Sequence, residues 1–346
     1  MLIGSLYAGI GGLDYAVSRA WGAACAWQLD LTGEDVRARH FPEALQIAAD
    51  VATVSPHSLP RVDILCGGFA CQDLSVAGAG KAREDLTKGE KTGPTWEGVV
   101  RFAKDLKPTI VVLENVPALL HRRAQVEREL SAYGWTWVCA SAQDAGHPHL
   151  RRRVFAIGVR GDAQRGVIKV APVTSHDRPW PTPTVCGNNN RRGASPTSQD
   201  GLGFAVRPWA TPCAANPNEG EDPAQWHARR AELAKAHGNN GAGEPLGQQV
   251  RTHKTPGSRL NPEWVELLMG FPQDWTSPDG PAQEIAESPP IVRGRYPADW
   301  DRSVLWPGFD WEPSRTLPDG PPCPGRPDRL RALGNAVCPQ QGLLAL

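Results

Sequence analysis

The sequence predicts a doubly wound α/β sheet in its first half, followed by a smaller loop-rich module. From Met1 to about Val170, short apolar runs alternate with segments of helical spacing, which is the pattern of parallel strands joined by right-handed crossovers. From Ala171 to about Gly325 the chain is instead rich in Pro, Gly, Asn and Trp. This change in composition is typical of a domain boundary.

Seven apolar runs in the first half have the length and composition of strands: residues 2–8, 23–30, 45–51, 62–68, 109–116, 136–146 and 153–161. Four segments between them are predicted helices: 11–21, 33–41, 95–106 and 124–134, the last closed by Gly134. In such a sheet the ligand site lies beyond the carboxyl ends of the strands. Residues at or just after these strand ends are therefore expected together: Gly9, Asp30, Asp50, Cys71 and Glu114.

In the second half, the sequence predicts fewer helices and strands. One helix is expected over 222–238, closed by Gly238, and another begins at Asn261 as N-cap with Pro262 in its first turn. The intervening residues 238–249 are predicted to be loop, and "WPTPTVCGNNN" at 180 is echoed by "WATPCAANPN" at 209. Two interpretations stay open: a module that reads a surface through its loops, or a poorly ordered insertion.

Composition excludes several classes of protein. The 37 basic and 37 acidic residues balance, so any nucleic-acid-binding surface must be local. The eight cysteines form no C-x-x-C pair and have no metal-ligand spacing, which argues against a metal site and for free thiols in the cytoplasm. The amino terminus lacks the basic start of a signal peptide, and no apolar run is long enough to span a membrane.

Three glycines lie between the first strand and the first helix: Gly9, Gly11 and Gly12. The spacing departs from G-x-G-x-x-G because Asp14 stands at the third glycine position, and no G-K-S/T follows. The turn is therefore either a tight turn alone or a site where a nucleotide-like cofactor approaches the backbone. Asp30 and Asp50 could bind a ribose hydroxyl and an adenine amino group, or cap helices.

Cys71 lies just past Gly67 and Gly68, at the end of a buried strand. Free cysteines are mostly buried and unreactive. The residue pattern around Cys71 alone therefore leaves two interpretations open: an inert small hydrophobe, or a nucleophile presented by a tight turn.

Charged residues also lie at the end of one predicted strand and at the start of another. Glu114 and Asn115 end the most β-branched strand, where a partly desolvated carboxylate could hold or donate a proton near neutral pH, or cap the next helix. Arg151, Arg152 and Arg153 precede another apolar strand. They form either a solvated edge or bidentate donors to a carboxylate or phosphate.

Taken together, these segments resemble the DNA cytosine-5 methyltransferase family, in the family's order and over nearly the whole chain. "LYAGIGG" from residue 6 is similar to its cofactor glycine motif, "GGFACQDLSVAG" from 67 to its nucleophile motif, and "ENV" from 114 to its acid motif. "HLRRR" from 149 is similar to its Q-x-R-x-R motif. "RLNPEWVELLMGFPQDW" from 259 and "GNAVCP" from 334 resemble its final segments.

The resemblance implies a doubly wound mixed sheet of the Rossmann-like class I methyltransferase type at 1–175, completed by 326–346, with a target-recognition domain at 176–325. It implies a monomeric bacterial or phage enzyme of restriction-modification type. Such an enzyme methylates carbon 5 of a flipped cytosine in double-stranded DNA, using S-adenosyl-L-methionine and a covalent Cys71 adduct at carbon 6.

The same resemblance assigns residues to roles. The implied catalytic residues are Cys71, Glu114, Arg151 and Arg153. The implied cofactor residues are Tyr7, Gly9, Gly11, Gly12, Gln28, Asp30, Asp50, Val51, Asn335, Ala336 and Val337. The expected DNA contacts are Gln72, Ser75, Asn115, Arg191 and Arg192.

The chain departs from the family pattern at several positions. Ala70 stands where the family usually has proline before the nucleophile, and Gln28 where its ribose-binding glutamate falls, so that Asp30 could share or replace that role. Ser5 replaces a common aspartate and His149 a glutamine. Two rival functions stay open, a non-catalytic DNA-binding relative and a cytosine methyltransferase acting on tRNA, whereas the glycine spacing disfavours a nicotinamide-dependent reductase.

Overall fold

The computed structural model describes residues 1–71, 73–74, 85–147, 149, 151–161, 209–213, 221–237, 245–251, 259–285, 313, 316–317, 323 and 325–346. Its main sheet has seven strands: β1 (Leu2–Leu6), β2 (Ala24–Asp30), β3 (Leu45–Ala48), β4 (Ile64–Gly68), β5 (Ile110–Asn115), β6 (Tyr133–Ser141) and β7 (Arg152–Arg160). Their order is β3-β2-β1-β4-β5-β7-β6. The first five run parallel, and β7 is antiparallel to both β5 and β6.

The helices of the described residues are α1 (Gly12–Trp21), α2 (Glu34–His40), α3 (Thr92–Leu106), α4 (Arg123–Glu129), α5 (Pro223–His237), α6 (Leu246–Arg251), α7 (Pro262–Leu268), α8 (Arg326–Asn335) and α9 (Pro339–Ala345). Short 3-10 turns occupy Val51–Thr53, Pro56–Ser58, Leu86–Lys88 and Pro117–Arg122. A small antiparallel pair joins β8 (Arg259–Leu260) to β9 (Thr316–Leu317).

Both faces of the main sheet are covered, which confirms the predicted doubly wound mixed sheet. On one face Trp27, Trp96 and Phe102 belong to a core that includes α3. On the other, Leu13 of α1 and Phe155 of β7 belong to a second core with the last helix. All six residues of β5 are buried, as expected for a central strand covered by helices on each side.

Two predicted elements are wrong. The helix expected over 124–134 ends at Glu129, and Gly134 lies inside β6, opposite Val159 of β7. The aromatic residues that alternate along this segment, from Tyr133 onward, favour a strand, and the Tyr133 hydroxyl donates to the carbonyl of Pro108 (3.1 Å).

The loop expected over 238–249 contains the start of α6, whose Gln248 N–H donates to the Pro245 carbonyl. Gly238 lies outside the described residues.

The C-terminal helices return to the first half of the chain. Gln341 of α9 donates from Nε2 to the carbonyls of Ala140 (2.9 Å) and Arg151 (2.7 Å). Gly342 packs so closely on α1 that an added Cβ atom would lie 2.8 Å from the Cβ of Ala16. These contacts support completion of the first domain by 326–346. The boundary near 175 falls outside the described residues, so the domain limits stay a prediction.

A third core joins the two halves of the chain. Trp264 and Trp275 from the second half belong to the same buried cluster as Leu333 of α8 and as Ile10 and Val36 of the first half. Among the described residues, no helix is long and apolar enough to cross a bilayer.

A buried polar network joins α1, β2, β3 and α2. Asp14 is fully buried, and its Oδ1 accepts from Gln28 Nε2 (2.8 Å). Gln28 Oε1 accepts in turn from Gln46 Nε2 (2.8 Å), whose Oε1 accepts from Arg37 Nε (3.0 Å). Burial raises the pKa of Asp14, against the lowering effect of the hydrogen bonds and of Arg37.

We expect Asp14→Asn to remove a pH-dependent loss of stability. The pKa of Asp14 is raised in the folded protein. The contribution of this carboxyl to the free energy of unfolding is therefore fully present below the unfolded pKa and is lost as pH rises. The asparagine keeps the acceptor for Gln28 without a charge, so it should be more stable than wild type by about 1–3 kcal/mol at pH 8. Urea unfolding of both proteins at pH 5 and pH 8 measures this. A difference that does not grow with pH would contradict it.

Candidate active site

One cavity of about 630 Å³ lies beyond the carboxyl ends of the parallel strands. It brings together most of the residues that the sequence places at strand ends: Gly9, Asp30, Cys71 and Glu114. Residues from distant parts of the chain also line it: Tyr7, Asn115, Arg151, Arg153, Gly334 and Asn335. Four of the five residues expected together at this edge of the sheet therefore line one cavity, and Asp50 does not.

The glycine turn forms one end of this cavity. Gly9 has φ +57°, and a Cβ atom added there would meet nothing within 4 Å, so this part of the backbone faces open space. At Gly11 an added Cβ would lie 2.3 Å from the Phe41 ring, and at Gly12 it would lie 2.2 Å from the Val337 carbonyl oxygen. Glycine is thus required at these two positions by close packing, and at Gly9 by backbone conformation.

Asp30, rather than Gln28, faces the cavity from β2. Its Oδ2 accepts from the Gly9 N–H (2.9 Å) and its Oδ1 from the Thr32 N–H (2.9 Å). Gln28 is fully buried, and both ends of its amide are used in the Asp14 network. The position of Gln28 does not support the expectation that it meets the cofactor. Its amide is buried and bonded to Asp14 and Gln46, whereas Asp30 lies at the carboxyl end of β2, where the cavity opens.

Asp50 and Val51 lie outside the residues that line the cavity. The Asp50 side chain accepts from the Ala52 N–H (2.9 Å) and caps the short turn that begins at Val51. The Val51 carbonyl accepts from Arg101. The capping interpretation of Asp50 is thus observed, and a role toward a ligand stays a prediction.

Cys71 lies on the cavity wall just beyond β4, half buried and free of any disulfide. Burial raises the pKa of the Cys71 thiol, Arg153 acts to lower it and Glu114 to raise it. A side chain of β5 anchors the backbone just before Cys71, because Asn115 Nδ2 donates to the Phe69 carbonyl (3.0 Å). The thiol therefore faces the cavity, and its raised pKa favours the thiol over the thiolate.

Glu114 forms an ion pair with Arg153. Arg153 Nε lies 2.8 Å from Glu114 Oε1, and the side chains are only 17% and 10% exposed. The two atoms are close without a well-aligned hydrogen bond. Glu114 does not cap the next helical turn, because Val116 is the capping residue of Pro117–Arg122. The solvated-edge interpretation is thus wrong for Arg153 and holds for the exposed Arg152.

Arg151 has a different partner from the one expected. Its guanidinium is buried and donates to the carbonyls of Gly334 (3.2 Å) and Ala336 (2.5 Å). Burial lowers its pKa to about 10. Arg151 therefore fixes the C-terminal motif and so places Asn335 at the cavity, while Ala336 and Val337 lie buried behind it. No local sequence pattern indicates this contact, since more than 180 residues separate the partners.

Some expected site residues lie outside the described residues: Gln72, Ser75, Arg191 and Arg192. Other residues line the cavity without having been expected from the sequence: Asp35, Val36, Thr95, Thr276, Asp328, Arg329 and Arg331. Among the described residues, no group of three His, Cys, Asp or Glu side chains could hold a metal ion.

A buried ion pair supports the far wall of the cavity. Glu266 of α7 and Arg329 of α8 are both buried, with Oε1 and Nη2 3.0 Å apart. Glu266 also accepts from the N–H groups of Asp274 (2.7 Å) and Thr276 (2.8 Å). The pair thus ties α7, the following turn and α8 together.

We expect Glu266→Gln to lower the free energy of unfolding by about 3 kcal/mol or more, because it leaves the buried Arg329 charge unpaired. Asp328→Asn is the matched control, since Asp328 pairs with Arg331 on the surface, where such a pair contributes less than about 1 kcal/mol. Urea denaturation compares the two variants. Equal losses would show that the pair is not a structural support.

The sheet order and the shared cavity of glycine turn, cysteine and Glu–Arg pair define a class I methyltransferase fold. A crystal structure of a Spodoptera frugiperda DNMT2 variant matches it with a TM-score of 0.51 over 99% of this chain and 97% of that one, at 13% identity. That likeness concerns the fold alone.

Residues 1–192 match the family described as C-5 cytosine-specific DNA methylase. The chain belongs to this family. Type II methyltransferase M2.BsuMI of Bacillus subtilis is 26% identical over 293 residues, which is 80% of this chain and 66% of that protein. Type II methyltransferase M.HhaI of Haemophilus parahaemolyticus is 30% identical over 167 residues, 45% of this chain and 48% of that protein. The chain spans between about half and two thirds of the length of these two relatives.

Proposed function

We propose that this protein methylates carbon 5 of cytosine in double-stranded DNA, within a specific sequence, with S-adenosyl-L-methionine as methyl donor. One observation carries the proposal: Cys71, the Glu114–Arg153 pair and the glycine turn line a single cavity. Membership of the cytosine-specific family and the type II methyltransferase names of its relatives support it.

The residues present fit the methyl donor. The open space at Gly9 leaves room for a ligand against the backbone, and the Asp30 carboxylate beside it can accept from ribose hydroxyls. Tyr7 and Asn335 line the same cavity and would contact the cofactor there. When bound, S-adenosyl-L-methionine supplies the transferred methyl group. Gly11, Gly12, Ala336 and Val337 would support this pocket through packing.

Cys71 and Glu114 would act on opposite sides of the cytosine. After loss of its proton, the Cys71 thiolate adds to carbon 6, and Glu114 protonates N3 so that the ring accepts the electron pair. Carbon 5 then takes the methyl group, and water removes the carbon 5 proton. The electron pair left behind re-forms the double bond between carbons 5 and 6 and expels the Cys71 thiolate, while N3 returns its proton to Glu114. Arg153 holds Glu114 in place. The thiol needs activation in the complex, since burial raises the pKa of Cys71 in the free protein.

The cytosine must leave the stacked duplex to reach this cavity. Arg191 and Arg192 are proposed contacts to the DNA, together with Gln72 and Ser75 of the nucleophile segment. Asn115 would contribute through the backbone, because its side chain already bonds the Phe69 carbonyl and the Val116 N–H. The protein is proposed to act as a monomer in the cytoplasm.

Transfer of tritiated methyl groups tests the proposal. The protein is incubated with labelled S-adenosyl-L-methionine and either mixed-sequence duplex DNA or total tRNA. We expect incorporation into DNA that is carried by 5-methylcytosine, and none with the Cys71→Ala variant. Incorporation into tRNA alone, or none into either substrate, would contradict the proposal.

A further inference from the structure

The backbone directly before Cys71 is held by the first turn of α3. The Ala70 N–H donates to Thr95 Oγ1 (3.2 Å), and Thr92 Oγ1 donates to the Ala70 carbonyl (2.9 Å). The Thr95 hydroxyl donates its own proton within the helix, to the Thr92 carbonyl (3.0 Å), so its oxygen is free to accept from Ala70. Both polar groups of the Ala70 backbone are therefore bonded to threonine side chains.

The backbone after Cys71 is held by the same helix end. Asp73 Oδ2 accepts from the N–H groups of Lys91 and Thr92, both at 2.9 Å. These hydrogen bonds hold the pKa of Asp73 below its usual value. The Leu74 side chain is fully buried, and its N–H donates to the Cys71 carbonyl (3.0 Å). Cys71 thus lies between two segments that are both anchored at the start of α3 or in the core.

Thr95 also contacts the cofactor end of the cavity. Its carbonyl accepts from the Tyr7 hydroxyl (3.0 Å), and Tyr7 lines the cavity beside the glycine turn. One residue of α3 therefore touches the elements on both sides of the space in which the methyl group would be transferred.

Alanine at position 70 has a physical consequence at this turn. A proline would restrict the backbone through its ring, but it has no N–H and could not donate to Thr95. Alanine leaves the backbone freer and provides that donor. In this chain the backbone at position 70 is therefore restrained by a hydrogen bond rather than by a ring.

We propose that Thr95, assisted by Thr92, is a positioning residue that holds Cys71 in its reactive place through the backbone of Ala70. The kinetic part of this proposal rests on the proposed function. Loss of one hydrogen bond beside a nucleophile is expected to lower the rate through misplacement rather than to unfold the chain.

The first test compares Thr95→Val, which has the same shape without the hydroxyl, with Thr95→Ser, which keeps it. We expect the valine variant to lower the single-turnover rate of methyl transfer about 10-fold, with unchanged affinity for S-adenosyl-L-methionine, and the serine variant to restore most of the rate. Thr136→Val, at an exposed position of β6, is the matched control. Equal rates for the valine and serine variants would overturn the proposal.

The second test repeats Thr95→Val in an Ala70→Pro background. Because proline cannot donate to Thr95, the valine substitution is expected to have an effect of less than about 2-fold in this background. A full effect in both backgrounds would overturn the proposal, since it would show that Thr95 acts independently of the Ala70 N–H.

A third measurement does not depend on enzyme activity. Iodoacetamide alkylation of the folded proteins is followed by peptide mass spectrometry, with the exposed Cys139 as internal reference. We expect Thr95→Val to raise the alkylation rate of Cys71 relative to Cys139, because a looser turn exposes the thiol. An unchanged ratio would overturn the positioning role. A raised ratio in a protein without methyl transfer would support the positioning role and contradict the proposed function.

Discussion

Replacing Cys71 with serine is expected to lower methyl transfer by about 1,000-fold or more, the scale seen when an attacking nucleophile is removed. A serine hydroxyl is nearly the same size but ionises far less readily than a thiol, and the reaction needs an anion to add to carbon 6. Because the thiol lies on the cavity wall and forms no disulfide, the substitution should leave stability and affinity for S-adenosyl-L-methionine unchanged. Single-turnover experiments measure the rate, titration calorimetry the affinity, and urea unfolding the stability.

Cys139→Ser is the matched control for this variant, since Cys139 is an exposed thiol on β6, outside the cavity. It should retain the wild-type rate. A Cys71→Ser protein that keeps a tenth or more of the rate would show that Cys71 is not the nucleophile.

Glu114→Gln is expected to lower the rate by about 100- to 10,000-fold, the range for loss of a general acid. Glutamine has the shape of glutamate, but it carries no charge and cannot transfer a proton to N3. It also leaves the mostly buried Arg153 charge unpaired. The single-turnover rate should therefore fall much further than the affinity for S-adenosyl-L-methionine.

Glu127→Gln provides a matched glutamate–arginine pair away from the cavity, because Glu127 Oε1 lies 2.7 Å from Arg123 Nε on α4. This control should leave the rate unchanged. A wild-type rate for Glu114→Gln would remove Glu114 from the mechanism, and equal losses for both variants would point to a structural cause.

The strands could be predicted from sequence where local chemistry decides the structure. β5 is strongly β-branched and buried throughout, and glycines mark the end of β4. The start of β6 could not be predicted in this way. Its residues 133–137 have both helical and alternating patterns, and pairing with β7, 19 to 27 residues away in sequence, selects the strand.

A site residue could be predicted from the sequence where a local motif alone indicates its role. Cys71, Glu114 and Arg153 occupy their expected places around one cavity. Arg151 and Gln28 could not be placed, because their partners are set by packing between distant segments. Thr95 carried no signal beyond its position at the start of a predicted helix, since its role depends on how that helix meets the nucleophile turn.

Bisulfite sequencing of DNA from cells that express the wild-type chain or its Cys71→Ala form tests the central claim most directly. The claim is that Cys71 attacks a cytosine in DNA from a cavity shared with the methyl donor. We predict protected cytosines within one recurring sequence in cells with the wild-type chain, and none above background with Cys71→Ala. Protection that is the same in both cell populations, or absent from both, would contradict it.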